Sequence, residues 1–295
     1  MTSAIELLAT SHGGQFVAAG LSERFVEIWN LESGQRTAEL NTILDFGGKR
    51  LAISGNEATC VTGAWTTGIA AYDIETRTLL WHRKDIKHIQ QVSVSADSSS
   101  IYCGLEEQKL LVLDITSGRT RGTLLGVRRV VDTPFSNALL LVTTRDCPSH
   151  LVRGSVEFEI ERLSFSVLDA VFGSNFLCIS EVRGPVRCFD LQTGKEFWRF
   201  NPKPGTNVGK LGYHAETSRF FGTLANYEEG GPRMLLQFMN GTPRTVVSIG
   251  EVWASQFCLS GAALVTSSGQ VFNTADGSVM RTLNFPERQP SSAAN

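Results

Sequence analysis

The feature that most limits the fold of this chain is a turn that returns at intervals of about 40 residues. In its full form it has an Asn or Asp and, four positions later, a Gly: Asn30 and Gly34, Asp114 and Gly118, Asp190 and Gly194, Asn273 and Gly277. Asp73 with Arg77 and Gln237 with Gly241 are imperfect copies, and the double-length gap between 114 and 190 holds a degraded one. The side-chain oxygen at the first position accepts backbone N–H groups two or three residues on, and Gly relieves a left-handed position. Strand-like runs lead into these turns, among them 24–29 (RFVEIW), 68–74 (GIAAYDI), 110–115 (LLVLDI) and 186–191 (VRCFDL). No long window shows a 3.6-residue period, so very little helix is expected.

At this spacing the 295 residues hold about seven units. One four-stranded sheet cannot bury both faces alone, and a closed ring of such sheets lets each cover the next. The expected fold is therefore all-β, a single seven-bladed β-propeller with four antiparallel strands per blade and little or no helix. The propeller is expected over 1–288. Its blades fall at about 3–41, 42–86, 87–126, 127–165, 166–206, 207–250 and 251–286, and 289–295 is a polar, disordered tail. Each blade takes its strands in chain order, so the ring closes by face packing without exchange of a terminal strand.

Two copies carry a fuller pattern. Residues 71–81 (AYDIETRTLLW) resemble the A-x-D-x-x-T-G-x-x-x-W repeat of quinoprotein-like propellers, with Arg77 in place of the Gly. Residues 188–198 (CFDLQTGKEFW) match it with Cys188 for the Ala. The resemblance implies that Asp and Thr brace the turn between the two outer strands and that Trp81 and Trp198 pack onto the next blade. Elsewhere the Trp is replaced, by Ala38, Gly122, Thr245 and Arg281, and the copies look like generic WD-repeat or lactonase-type blades. Ile28-Trp29-Asn30 is similar to the WD dipeptide region. Quinone cofactors are not implied: the chain is short for the eight-bladed quinoprotein ring, and no adjacent Cys pair or calcium-holding cluster is present.

Composition narrows the function. A formal net charge of −2 excludes a broadly basic nucleic-acid surface, and no apolar run approaches a membrane-spanning length. No secretory signal is readable at the start. Of six cysteines none forms a C-x-x-C pair, and Cys60, Cys103, Cys178 and Cys258 lie in apolar segments as small buried hydrophobes. A cytoplasmic protein is expected, three disulfides in a secreted chain being the other reading. The five His show no local metal-pair spacing, and no G-x-S-x-G occurs. No catalytic residue, metal or cofactor is assigned.

A propeller without a catalytic signature presents loops to another protein, and loops that depart from the repeat are the candidates. Blade four departs most, where 145–153 (RDCPSHLVR) puts Arg145, His150 and Arg153 in place of a clean strand and Glu157 and Glu159 follow on one side of an edge strand. Blade six has the long loop Tyr227, Glu228, Glu229, on the same face as Trp65 and as Glu106 and Glu107. Trp65 reads as a contact anchor or as packing onto its neighbour. Arg128 and Arg129 begin an inner strand and point to the channel. The expected function is a non-catalytic protein-binding propeller, as scaffold, adaptor or dedicated inhibitor of immunity type; the alternative is a lactonase-like hydrolase with its site at the channel mouth.

Overall fold

The computed structural model describes residues 5–11, 14–21, 25–43, 50–131, 138–143, 150–153, 156–159, 167–228, 230–252, 254–258 and 261–285. Among them the strands pair into seven four-stranded antiparallel sheets, each made from strands consecutive in the chain, and no α-helix occurs. The arrangement is a β-propeller. Its inner strands are Ile5–Thr10, Arg50–Ile53, Ile89–Val94, Val127–Val131, Val167–Phe172, Thr206–His214 and Ser255–Cys258, and all contribute to the wall of one central cavity.

Apolar faces of neighbouring sheets form the core. Ile69 and Ala71 of the second sheet bury against Ile89, Ile101 and Leu113 of the third, and Cys178 and Cys188 of the fifth against Leu211, Phe220 and Phe238 of the sixth. The first and seventh sheets meet in the same way, Val17, Trp29 and Leu31 packing on Val265, Val271 and Leu283. Trp29 meets Phe285 edge to face at 5.5 Å, and Thr10 Oγ1 donates to the Phe257 carbonyl at 3.0 Å.

The recurring turns have the geometry their residues dictate. Asp73 Oδ1 accepts the Thr76 backbone N–H at 2.7 Å and its hydroxyl at 2.8 Å, and Asp190 Oδ1 accepts the same groups of Thr193 at 2.8 and 3.0 Å. Asp114 gathers Thr116 and Ser117 in the same manner. Gly34, Gly118, Gly194 and Gly277 are all left-handed, as is Arg77 at φ 60°. At Gly118 the need is double: φ is +67°, and a Cβ would lie 2.7 Å from the Trp81 ring. Trp81 lies across that turn of the third sheet and donates its indole N–H to the Ile115 carbonyl at 2.8 Å. Trp198 stacks on Phe238 of the sixth sheet, 5.6 Å between centroids.

Two sequence expectations change. Gln237 is no turn residue; it is buried in the strand Arg233–Met239, and the sixth sheet turns instead at Asn240 and Gly241, both at positive φ, a two-residue hairpin of the Asn-Gly type. In the fourth sheet His150–Arg153 is a regular strand, His150 opposite Glu159 and Arg153 opposite Val156, its backbone paired on both sides despite the charges.

Candidate protein-binding face and channel

Links between sheets and turns between second and third strands share one face. There the chain brings Trp65, His88 and Glu106 together. The His88 backbone N–H donates to the Trp65 carbonyl at 2.8 Å, and the Glu106 N–H to the His88 carbonyl at 3.0 Å. The His88 ring stands edge-on to the Trp65 ring at 5.1 Å, and its Nδ1 lies 3.7 Å from Glu106 Oε2. Trp65 is half-buried, while His88, Glu106 and Glu107 are exposed. Two shallow grooves flank the cluster. One, of about 480 Å³, runs past Ile43, Thr66, His82 and Lys84; the other, of about 420 Å³, lies between His88, Glu107, Lys109 and Thr123.

A second aromatic cluster stands on the fifth and sixth sheets. Tyr227 is 42% exposed, with the Arg183 guanidinium 5.3 Å from its ring centroid, a cation–π contact. The loop is held by the Tyr227 N–H donating to the Gly205 carbonyl at 2.9 Å and the Glu228 N–H to Asn226 Oδ1 at 3.1 Å.

The channel holds the most concentrated charge. A β-bulge near the start of the inner strand recurs in the first, third, fourth and fifth sheets, followed by Leu7, Gln91, Arg129 and Asp169. Lys210 takes that place in the sixth, since its N–H donates to Thr223 Oγ1 across the sheet as Asp169 N–H donates to Ser180 Oγ. Arg50 takes it in the second. Its Nε donates to the carbonyl of Gln90, the bulge residue next door, just as Arg129 Nη1 donates to that of Leu168 at 3.3 Å. Asp169 is buried, accepting Arg129 Nη2 at Oδ1 and the Leu211 N–H at Oδ2, both at 2.9 Å. Burial alone would raise its carboxyl, but the Lys210 and Arg129 cations and the Leu211 N–H outweigh it and hold it below the ordinary range. Burial also lowers the Arg50 guanidinium.

Of the residues singled out from sequence, Trp65 and Glu106 are joined through His88, and Glu107 borders the groove beside them. Tyr227 and Glu228 form the separate cluster. The backbones of His150 and Arg153 lie in the fourth sheet, whereas Arg145 and Glu229 fall outside the described residues. Arg129 does line the channel. His88 and the Asp169–Lys210 pair were not singled out; the signal for the pair was the position of each residue relative to its strand start, which only the bulges reveal, and His88 left none. Among the described residues no three His, Cys, Asp or Glu side chains gather at metal-binding distance.

No protein-family model and no curated protein matches the chain. Solved structures do. A hydrazine synthase structure from Kuenenia stuttgartiensis matches with a TM-score of 0.69 at 11% identity, covering 93% of this chain and 96% of the other. A chain of a mitotic checkpoint complex matches with a TM-score of 0.68 at 17% identity, over 90% and 85% of the two chains. The structure of U3-55K gives 0.65 at 14%, over 90% and 88%. These likenesses are of fold alone and agree with the β-propeller arrangement of the sheets. No helix among the described residues is long and apolar enough to cross a membrane.

Proposed function

We propose that this chain is a non-catalytic propeller that binds another protein through its loop face, in the cytoplasm, as scaffold, adaptor or dedicated inhibitor. The observation that carries the reading is the Trp65–His88–Glu106 cluster: an aromatic pair fixed by backbone hydrogen bonds, set between two grooves and edged by exposed carboxylates. A rigid, half-buried aromatic with a polar rim is the composition of a binding hot spot. Tyr227 and Glu228 extend the face to the sixth sheet, and Glu229, Arg145, His150 and Arg153 are proposed as further contacts on their sequence alone. That one structural neighbour is a chain of a mitotic checkpoint complex agrees with this use of the fold.

The test is capture with the tagged protein from lysate of its own cells, in parallel with Trp65→Ala/His88→Ala and with Tyr227→Ala/Glu228→Arg. A stoichiometric partner held by the wild type and lost by the first double variant is expected. A partner retained by both variants overturns the assignment of the face.

A further inference from the structure

The channel mouth has the makings of a site for a small anion. Leu7, Arg50, Gln91, Arg129, Asp169 and Lys210 occupy one register position around the ring, so three cations face one carboxylate. The surplus of two positive charges is local, in a chain whose formal charge is −2. Lys210 has no ion-pair partner within hydrogen-bond reach among the described residues. Arg129 Nε is buried there with no hydrogen-bond partner. Two residues further along each strand the wall turns small: Ala9, Ala52, Ser93, Val131, Val171 and Gly212. Arg129, Lys210 and Asp169 line, with this small-residue wall, a cavity of about 350 Å³, within the size range of small-molecule pockets.

We propose that this cavity binds a small phosphate monoester, the dianion held by Lys210 and Arg129, with Arg50 adding its charge from the same level of the ring, and the organic body lying among Ala52, Val131 and Val171. A dianion matches the surplus charge, and guanidinium with ammonium suits phosphate oxygens. Asp169 then plays two roles of opposite sign. It positions Arg129 and repels the ligand. This binding is independent of the loop-face reading.

The experiment is calorimetric titration with phenyl phosphate at pH 7.5 and low salt. One saturable site is expected in the wild type. Lys210→Gln and Arg129→Gln should each weaken it about tenfold, the equivalent of one charge-assisted hydrogen bond. Asp169→Asn, which keeps an acceptor for the Leu211 N–H, should strengthen binding severalfold, a gain that a merely structural role cannot give. Arg119→Gln, on an exposed outer turn, should leave it unchanged. Lys210→Gln keeps the aliphatic stem, and Asp169 keeps its hydrogen bonds from Arg129 and the Leu211 N–H, so the fold is retained. Absence of saturable heat with millimolar phenyl phosphate, or equal affinity in Lys210→Gln and wild type, overturns the proposal.

Discussion

Glu27 in the first sheet and Arg187 in the fifth stand at the same position of the third strand with opposite charges, and their partners are inverted with them. Both are buried, at 2% exposure. Glu27 takes Arg36 Nη1 at 2.6 Å, and Arg36 reaches on to Glu39 at 2.7 Å. Arg187 Nε meets Glu196 at 2.6 Å, and Glu196 takes Arg199 at 2.8 Å. Glu39 and Arg199 are the cross-strand neighbours of Glu27 and Arg187. Even the aromatic two residues on changes its role: Trp29 donates its indole N–H to Glu27 at 3.1 Å, whereas Phe189 offers its ring face to Arg187 at 4.8 Å.

This inversion makes a charge exchange testable. Glu27→Arg alone buries a cation beside Arg36 and should cost about 3–5 kcal/mol, the usual penalty for breaking a buried pair. Adding Arg36→Glu restores the pair with its charges exchanged, as Arg187 and Glu196 have them, and should recover part of the loss, Glu39 then standing where the fifth sheet has Arg199. Urea unfolding of the two single variants and the double gives the coupling, and strict additivity would show that the partners do not interact.

Arg77 occupies the left-handed position that Gly fills in four sister turns. An L-residue there is strained by about 1 kcal/mol. Arg77→Gly should therefore raise the melting temperature by a few degrees, a gain moderated by the added freedom of the unfolded chain. Differential scanning calorimetry reads it directly, and a fall in Tm would mean that the Arg77 contact with the Thr37 carbonyl outweighs the strain.

Asp169 should leave a signature in acid. Its carboxyl lies below the ordinary value of 3.8, so its stabilising contribution is complete above that value and is lost as the pH falls through the lower folded one. Asp169→Asn is expected to be less stable than wild type at pH 7, with the gap closing from about pH 4 downward, as first the unfolded and then the folded wild type takes up the proton. Thermal unfolding of both proteins between pH 7 and pH 2 follows it; a gap that stays constant would show that the charge is irrelevant.

Cys60, Cys103, Cys178, Cys188 and Cys258 are buried thiols outside any disulfide. Burial pushes the Cys103 and Cys258 thiols up to about 12, which keeps the reactive thiolate scarce. Iodoacetamide at pH 8.5 should spare all five in the folded protein and modify them in denaturant. Mass spectrometry of the labelled peptides distinguishes the two.

The sheets were legible because their determinants are local. Asp73, Asp114 and Asp190 each close a turn through atoms within a few residues, and such turns leave a mark at fixed spacing. Gln237 misled for the complementary reason: its place in the count copied the pattern, but the adjacent Asn240-Gly241 pair made a tighter hairpin with stronger backbone preference. The face was partly legible. Trp65 and Glu106 stand out in Gly-rich and acidic turns, yet nothing near them in sequence marks His88 as the residue between them. The channel mouth was nearly invisible. Arg50, Arg129, Asp169 and Lys210 come together only through the ring, and the bulges that aim them shift the register in a way alternation cannot show.

The seam between the first and last sheets bears on how the molecule is made. Val17, Trp29 and Leu31 are made about 250 residues before the groups that cover them, Val265, Val271, Leu283 and Phe285. At about 5–20 residues per second that apolar face waits roughly 12–50 s for its cover. No hydrogen-bonded strand bridges the gap in the meantime, because each sheet is built from its own stretch of chain. The nascent ring thus carries a sticky, uncovered face throughout that interval, and this is where a chaperone would find it.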